Sequence, residues 1–284
     1  MDTTNIFTVT PMSQKIELEA GQVYEGSIVV ANPANAANDF HYKVEVSPYG
    51  VIGEDYLMDL SNQSEYSQIA NWIEIDEPTG TLKPNETRDI YFTITVPENA
   101  PSGGQYAALM VSSENNNTAS SGLAINNVFE MASVIYAKIA GETVRAGEVS
   151  SFSIPGFVTG IPITTGVTIT NDGNSHETAK IALEIKSFFA ASPLYPTPED
   201  DGIISELILP NTTRYITRDI DGISSLGIYE VKETVNYLGQ NTTFTQTVVS
   251  CPIWFMALVF VTIMAVIVAI VRTVRAHRIK HKVF

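Results

Sequence analysis

The residues best suited to acid–base or nucleophilic chemistry are few and far apart in this sequence. Two histidines, His41 and His176, precede the apolar C-terminal segment, and the one cysteine, Cys251, lies directly before it. A Ser–His–Asp arrangement needs a shared pocket, and the nucleophile motif Gly-x-Ser-x-Gly is absent from the sequence. The sequence also lacks a His- or Cys-rich zinc pattern, a P-loop and Gly-x-Gly-x-x-Gly. We therefore predict that the protein is not an enzyme and binds no organic cofactor.

Two acidic turns carry the oxygen ligands that Ca²⁺ prefers. They are Glu199-Asp200-Asp201-Gly202 and Asp219-Ile-Asp221-Gly222. Neither is followed by the complete loop with its distal bidentate glutamate. Two interpretations stay open, a weak Ca²⁺ site or ordinary solvated turns, and no other metal is expected.

Aromatic residues are the remaining candidates for ligand binding. Trp72 is the one tryptophan before the C-terminal apolar segment, and Tyr49, Tyr56 and Tyr66 lie in or beside a polar, acidic insertion at residues 51–70. Aromatic rings can stack on a ligand, but they also fill cores. For Trp72 both roles stay open, whereas the three tyrosines are predicted to contact a ligand. A second insertion, rich in Asn, Ser and Thr, is a further candidate loop and covers residues 114–121.

The C-terminal segment is predicted to cross a membrane. Residues 252–271 carry no charge, and a helix of that length spans roughly 30 Å, the thickness of the hydrocarbon core of a bilayer. Trp254 lies where an interfacial aromatic residue belongs. By the positive-inside rule, the basic tail 272–284 is cytoplasmic and the preceding residues lie outside the cell membrane. The anchoring tail residues include Arg272, Arg275 and Arg278.

The charge of the part that precedes the membrane segment limits its partners. Five of the 16 Lys and Arg residues follow Val271, which leaves eleven basic residues against 31 acidic ones and a net charge of −20. Such a surface repels nucleic acid and anionic lipid, so a nucleic-acid partner is excluded. It suits a cationic partner, bound Ca²⁺ or simply solubility.

Cysteine usage and the first residues bear on the route of the chain. With Cys251 alone, no intramolecular disulfide can form, and this residue either pairs between two chains or is a passive interface residue. The sequence begins without the basic and apolar regions of a secretory signal peptide. We expect that the numbering starts at a processed or trimmed N-terminus.

An internal repeat indicates two domains of the same kind. Gly26-Ser-Ile-Val-Val-Ala-Asn32 matches Gly166-Val-Thr-Ile-Thr-Asn171, and Leu82-Lys-Pro84-Asn85-Glu-Thr87-Arg88 matches Leu209-Pro210-Asn211-Thr-Thr213-Arg214. Each half then reaches a Gly-x-Tyr, at Gly104-Gln105-Tyr106 and Gly227-Ile228-Tyr229. Three matches in the same order indicate a repeated supersecondary unit.

Strand patterns give the fold class. Apolar Ile90, Phe92, Ile94 and Val96 alternate with polar residues, which is the period of a half-buried strand. Many such short segments, separated by turn residues, predict an all-β chain of two tandem Ig-like antiparallel β-sandwiches followed by a single transmembrane α-helix. The predicted bounds are 1–141 and 145–250 for the sandwiches, 252–271 for the helix and 272–284 for the tail.

The order of these parts resembles bacterial WxL-interacting cell-surface proteins. The residues that carry the resemblance are Phe7-Thr-Val-Thr-Pro11, Ile16-Glu-Leu18-Glu-Ala-Gly21, Ile28-Val-Val30-Ala-Asn32, Gly103-Gly104, Leu209-Pro210-Asn211-Thr212 and Gly227-Ile228-Tyr229. The resemblance implies binding of peptidoglycan and of partner surface proteins. It transfers no individual binding residue.

Two functional hypotheses follow. The first is a membrane-anchored extracellular adhesion or scaffolding protein that binds an envelope protein or a peptidoglycan-type glycan through insertion 51–70, the sheet around Trp72 or insertion 114–121. The second is a structural accessory subunit that assembles into a larger membrane complex through its transmembrane helix, where Ala257, Ala265 and Ala269 form a small-residue face. The sequence leaves the oligomeric state open.

Overall fold

The computed structural model describes residues 7–113, 129–189, 193–197 and 201–280, with the side chains of the last five left out. Within these ranges, the first half of the chain contains eleven strands and a short 3₁₀ helix at Gln68–Asn71. The strands are β1 Thr8–Thr10, β2 Ser13–Leu18, β3 Val23–Ala31, β4 Phe40–Pro48, β5 Gly50–Ile52, β6 Leu57–Asp59, β7 Ile73–Ile75, β8 Thr79–Leu82, β9 Thr87–Thr95, β10 Gly103–Ser113 and β11 Glu130–Ile139.

The described part of the second half contains nine more strands and one long helix, α1, at Ile253–Lys280. The strands are β12 Gly147–Ser153, β13 Phe157–Val158, β14 Ile163–Asn171, β15 Glu177–Ser187, β16 Pro193–Tyr195, β17 Ile203–Ile208, β18 Thr212–Ile220, β19 Gly227–Tyr237 and β20 Gln240–Ser250. The prediction of a mostly β chain with one C-terminal apolar helix is confirmed. Burial alternates along the strands as predicted, since Ile90, Phe92 and Ile94 of β9 are buried between exposed or half-buried neighbours.

The described chain forms two compact units. Unit 1 comprises Met1–Glu148, Thr170–Glu177 and Leu207–Arg214, and unit 2 comprises Val149–Ile169, Thr178–Glu206 and Tyr215–Phe284. Two short segments from the second half of the sequence, 170–177 and 207–214, thus belong to unit 1. The bounds 1–141 and 145–250 stay a prediction.

Unit 1 is a β-sandwich with its core between two sheets. The strand orders are β1-β3-β9-β7 and β2-β11-β10-β4-β8. β1 pairs antiparallel with β3, whereas β2, which follows directly, pairs parallel with β11 in the other sheet. The largest fully buried side chains of this core include Tyr42, Phe92, Leu18, Ile28 and Leu109.

The second half repeats this arrangement. Its strand orders are β12-β14-β18 and β13-β20-β19-β15-β16, with β17 also paired to β15. β12 lies in the first of these sheets, and β13 then pairs parallel with β20 in the other. One core cluster of unit 2 contains Ile163, Leu183, Ile185, Ile220, Tyr229, Val231 and Val248.

The turn residues of the repeat have the same geometry in both copies. Asn85 and Asn211 adopt positive φ angles of 65° and 54°, which asparagine tolerates better than most residues. Asn32 is buried, and its side-chain amide donates to the backbone carbonyls of Asn38 and Leu82, each at 3.0 Å. The buried amide of the matching Asn171 donates in the same way, at 2.9 Å each, to the carbonyls of Ser175 and Ile208.

Helix α1 is longer than predicted. Its segment Ile253–Arg275 is long and apolar enough to cross a membrane. The helix continues to Lys280 rather than ending at Val271. The reason is local, because residues 272–280 contain neither glycine nor proline to end it.

Candidate binding surface

Insertion 51–70 is attached to unit 1 by tyrosines. Tyr49, Tyr56 and Tyr66 pack with Tyr106 of β10 and Tyr136 of β11, and we call these five residues the tyrosine cluster. The ring centroids of Tyr49 and Tyr136 are 5.8 Å apart, and those of Tyr106 and Tyr136 are 5.9 Å apart, both edge to face. Such contacts stabilise aromatic pairs beyond the burial of their area.

Segment 207–214 closes this cluster within unit 1. The backbone N–H of Leu209 donates to the Tyr56 hydroxyl at 2.8 Å, and the Asn211 side-chain amide donates to the Tyr66 hydroxyl at 2.8 Å. The Arg214 guanidinium lies 4.5 Å from the centroid of the Tyr56 ring, a cation–π contact. Burial raises the pKa of Tyr56, so its hydroxyl stays neutral and acts as a hydrogen-bonding group.

The three tyrosines that the sequence assigned to a ligand therefore contact residues of their own unit. Their assignment to ligand binding stays a prediction. Trp72 is half-buried against the core of unit 1 and directly follows the 3₁₀ helix, so it does not join the tyrosine cluster. Insertion 114–121 lies outside the described residues.

The same insertion exposes apolar side chains on a short hairpin, a feature that was not expected from the sequence. β5 and β6 form a hairpin, Gly50–Asp59, in which Ile52 pairs with Leu57 and Val51 pairs with Met58. Ile52 is 58% exposed, Leu57 65% and Met58 49%. We call these three side chains the hairpin tip. Ile52 and Leu57 lie side by side on one face of the hairpin, whereas Met58, opposite Val51, is exposed on the other face. Because the segment is polar and acidic along the sequence, only the pairing of β5 with β6 reveals these exposed apolar residues.

The hairpin is held firmly at its base. The side-chain amide of Asn62 packs over Gly50, where an added Cβ would lie only 2.2 Å from Nδ2. The buried Gln105 donates to the carbonyl of Glu65 at 2.7 Å and accepts from the N–H of Ile69 at 3.2 Å. Because the backbone around the exposed apolar tip is already fixed, less conformational entropy would be lost on binding a partner.

Two surface depressions flank unit 1. One, of about 360 Å³, is formed mostly by insertion 51–70 and is lined by Pro48, Asn62, Gln63, Ser64, Ser67, Gln68, Ala70 and Asn71. The other, of about 650 Å³, is lined by Glu17, Leu18, Glu19, Gln22, Lys138, Ala140, Gly141 and Thr143. No residue that the sequence singled out as a ligand contact lines either depression.

The structure does not bring the two histidines together. His41 is exposed, and its Nδ1 lies 2.8 Å from Thr81 Oγ1. His176 contacts Tyr106, and burial lowers the pKa of His176 to about 4. Within the described ranges no group of three or more His, Cys, Asp or Glu side chains is placed to hold a metal ion.

The acidic turns and the membrane residues lie as follows. Asp219 accepts a hydrogen bond from Thr164 Oγ1 at 2.6 Å, and Glu199 lies outside the described residues. A Ca²⁺ site therefore stays a prediction. On α1, Trp254 is exposed at the first turn, and Arg272 and Arg275 are exposed at the other end. Arg278 lies in the last turns of the helix.

Comparisons with known proteins give structural neighbours only. No family model matches the chain, and no curated protein sequence matches it. Among solved structures, the class 5 fimbriae chaperone CfaA has a TM-score of 0.41 at 11% identity, over 85% of this chain and 99% of that one. The CsuC–CsuE chaperone–tip adhesion subunit complex of Acinetobacter baumannii matches with a TM-score of 0.39 at 14% identity, over 86% of this chain and 98% of that one. The Salmonella enterica SafA pilin in complex with the SafB chaperone matches with a TM-score of 0.39 at 12% identity, over 87% of this chain and 98% of that one. Similarity of this degree carries no argument about function.

Proposed function

We propose that the chain is a non-enzymatic, membrane-anchored binding protein that holds an envelope protein outside the cell membrane. In this proposal two tandem Ig-like β-sandwiches form the extracellular part, and α1 crosses the membrane with its basic end in the cytoplasm. The length and apolar surface of α1 support the anchor. The basic residues after Val271 support the orientation.

The exposed hairpin tip is the observation that carries the binding role. Three large apolar side chains are displayed within ten residues on a hairpin whose inner side is fixed by the tyrosine cluster. Exposed apolar residues grouped on a rigid element are typical of protein-binding surfaces. The net charge of −20 before the membrane segment favours a partner whose rim is basic.

The same surface favours a protein over a glycan. Sugars are bound by stacking on exposed aromatic rings, whereas Ile52, Leu57 and Met58 are aliphatic or thioether side chains. The tyrosines of the segment are partly buried against unit 1. The resemblance to WxL-interacting proteins implies both kinds of ligand, and the hairpin supports the protein.

The test uses the full-length protein in lipid nanodiscs, crosslinked to a native envelope extract. One variant carries Ile52→Thr, Leu57→Thr and Met58→Thr, which keep β propensity and remove apolar surface. The matched control is Val23→Thr, since Val23 is 60% exposed on β3 of the same unit. Each of these side chains, once buried by the partner, should contribute about 1 kcal/mol or more to the binding free energy. The hairpin variant is therefore expected to recover one discrete partner at least about tenfold more weakly than the wild type, whereas the control is expected to recover it normally.

Other results would contradict the proposal. Equal recovery by the hairpin variant excludes the hairpin tip. Sedimentation of the protein with purified cell wall, without a protein adduct, favours the glycan. A complex that survives when only α1 and its flanking residues are kept favours the accessory subunit that assembles through its transmembrane helix.

A further inference from the structure

The last strand of unit 2 has a long open edge. β20 pairs with β19 without a break from Gln240 to Ser250, but β13 covers its other edge only at Val249 and Ser250. Among the described residues no further strand lies beside it. Residues 240–248 are therefore open along one edge, a length of roughly 30 Å at 3.4 Å per residue.

The odd-numbered residues direct their backbone groups to this edge. The N–H of Val249 donates to Gly156 and that of Cys251 donates to Val158, both on the outer side. Backbone direction alternates along an antiparallel strand, so Asn241, Thr243, Thr245 and Thr247 face the same way. No described group bonds their N–H groups, and only the carbonyl of Thr247 is covered, by the side-chain amide of Gln246 at 3.0 Å.

The first copy of the repeat shows what such a position holds. There β2 lies parallel beside β11, the counterpart of β20, and pairs with six residues, Val134–Ile139. In the second copy β13 lies parallel in the same place but pairs with two residues. In the second copy, β13 therefore occupies the equivalent position but covers only the end of β20 that is nearest to α1.

The open edge also lacks the usual protection against pairing. Natural edge strands carry charges, proline or bulges that prevent another strand from adding to them. The eleven residues of β20 include no charged residue and no proline, and four of them are threonine. Its register with β19 shows no bulge. The strand is regular, rich in a β-branched residue and open.

We propose that the open edge of β20 binds an extended polypeptide segment of a partner protein by β-strand addition, parallel to β20 and continuing the line of β13. Backbone groups of alternate partner residues would bond the four odd-numbered residues of β20. One face of the added strand would lie by the stacked rings of Phe152 and Phe244, whose centroids are 5.6 Å apart. The segment has alternating apolar and polar residues and no acidic side chain, because the part of the chain before the membrane is strongly acidic.

A partner strand fits this edge better than a second copy of the chain, and this step rests on the membrane anchorage proposed above. Only Cys251 and Pro252 separate β20 from α1, so every β20 ends at the membrane. Antiparallel pairing of two such edges would direct one of the two ends away from that membrane. The binding site itself is distinct from the hairpin tip, which lies in unit 1.

The experiment measures amide hydrogen exchange, residue by residue, in the full-length protein in lipid nanodiscs. The probe is a synthetic peptide copying residues 12–19, the occupant of the equivalent position in the first copy, with Glu17→Lys and Glu19→Lys. Backbone N-methyl groups at alternate residues, positions 13, 15 and 17, prevent the peptide from self-associating and leave one pairing edge. Without peptide, the amides of Thr243, Thr245 and Thr247 are expected to exchange fast beside slow Phe244 and Gln246. Saturating peptide is expected to slow the odd-numbered amides by at least about tenfold.

Two controls decide the outcome. A peptide methylated at every residue from 13 to 18 should give no protection, and it leaves the protein unchanged. Thr245→Pro removes an outward N–H without breaking a bond to β19, and it should abolish protection with little change in Tm.

Unchanged exchange at the odd-numbered amides, or equal protection by the fully methylated peptide, would overturn the proposal. So would slow odd-numbered amides in a free protein that sediments as a dimer, since a second copy would then occupy the edge. Hairpin-tip variants leave this result untouched, so the two proposals fail separately.

Discussion

The hydroxyl of Tyr106 lies 3.2 Å from Nδ1 of His176, and their rings meet edge to face at 5.7 Å. Both residues belong to unit 1, so the histidine of the second half of the sequence packs against the Gly-x-Tyr tyrosine of the first repeat. Burial, together with the charges of Lys15 and Lys138, lowers the pKa of His176 to about 4. The imidazole is therefore neutral at pH 7 and serves the packing of the cluster.

This contact predicts a loss of stability in mild acid. His176 binds a proton less readily in the folded state (pKa about 4) than in the unfolded state (6.5), so its stabilising contribution is complete above pH 6.5 and is lost as the pH falls to about 4. The loss is about 2–3 kcal/mol at most. Urea unfolding of wild type and His176→Phe between pH 4 and 7 measures it. A variant with the same pH slope as the wild type would contradict this assignment.

Glu233 of unit 2 predicts the opposite slope. Burial raises the pKa of Glu233 to about 7, Arg218 offsets part of this shift, and no described residue bonds its Oε2. The folded state holds this proton more tightly, so the carboxyl favours folding at low pH and loses that contribution as the pH rises through about 7. Glu233→Gln should raise the free energy of unfolding above pH 7 by about 1–3 kcal/mol and change it little at pH 5. A variant that is less stable at pH 8 would show that the charged carboxylate is required.

The matched asparagines of the repeat should each be structural. Asn32→Ala and Asn171→Ala remove a buried amide that bonds two backbone carbonyls and leave those carbonyls unpaired. Each is expected to cost about 1–3 kcal/mol in urea unfolding. Asn38→Ala, at an exposed side chain on the same loop, is the control and should stay within about 0.5 kcal/mol. If Asn32→Ala and Asn38→Ala lowered the free energy of unfolding equally, the structural role of the matched asparagines would be contradicted.

The glycine of the second Gly-x-Tyr should be sensitive to a single methyl group. A Cβ on Gly227 would lie 2.6 Å from the hydroxyl of Tyr229, which is held by a 2.6 Å bond to the carbonyl of Ser224. Gly227→Ala is expected to destabilise by about 1–3 kcal/mol through overpacking. Gly160→Ala, where an added Cβ meets nothing within 4 Å, is the matched control. Partial rescue of Gly227→Ala by Tyr229→Phe would locate the clash at the hydroxyl.

Local sequence signals were sufficient for most of the fold. Period-two hydrophobicity predicted strands such as β9, and the repeated Pro-Asn pairs indicated turns at Asn85 and Asn211, where the structure has positive φ angles. An uncharged stretch followed by arginines predicted α1. These features depend on neighbours in sequence, so the sequence alone was enough to predict them.

Features that depend on distant pairing were not predictable. Tyr56 and Tyr66 bond to segment 207–214 in unit 1, about 150 residues along the chain, and no local pattern indicates this contact. The hairpin tip was not predicted, because acidic residues separate Ile52 from Leu57 in the sequence and only the strand pairing places these two residues side by side. The open edge of β20 depends on how few residues β13 covers, and no local pattern reports that.

The most direct test of the binding role is photocrosslinking in intact cells, with a photoreactive amino acid at Met58 and, as control, at Val23. Both positions are exposed on unit 1, at 49% and 60%. The proposed binding role predicts one discrete protein adduct from position 58, which is lost when Ile52→Thr and Leu57→Thr are introduced, and no adduct from position 23. The same adduct from both positions, or none from position 58 while the full-length protein stays in a large complex, would contradict it.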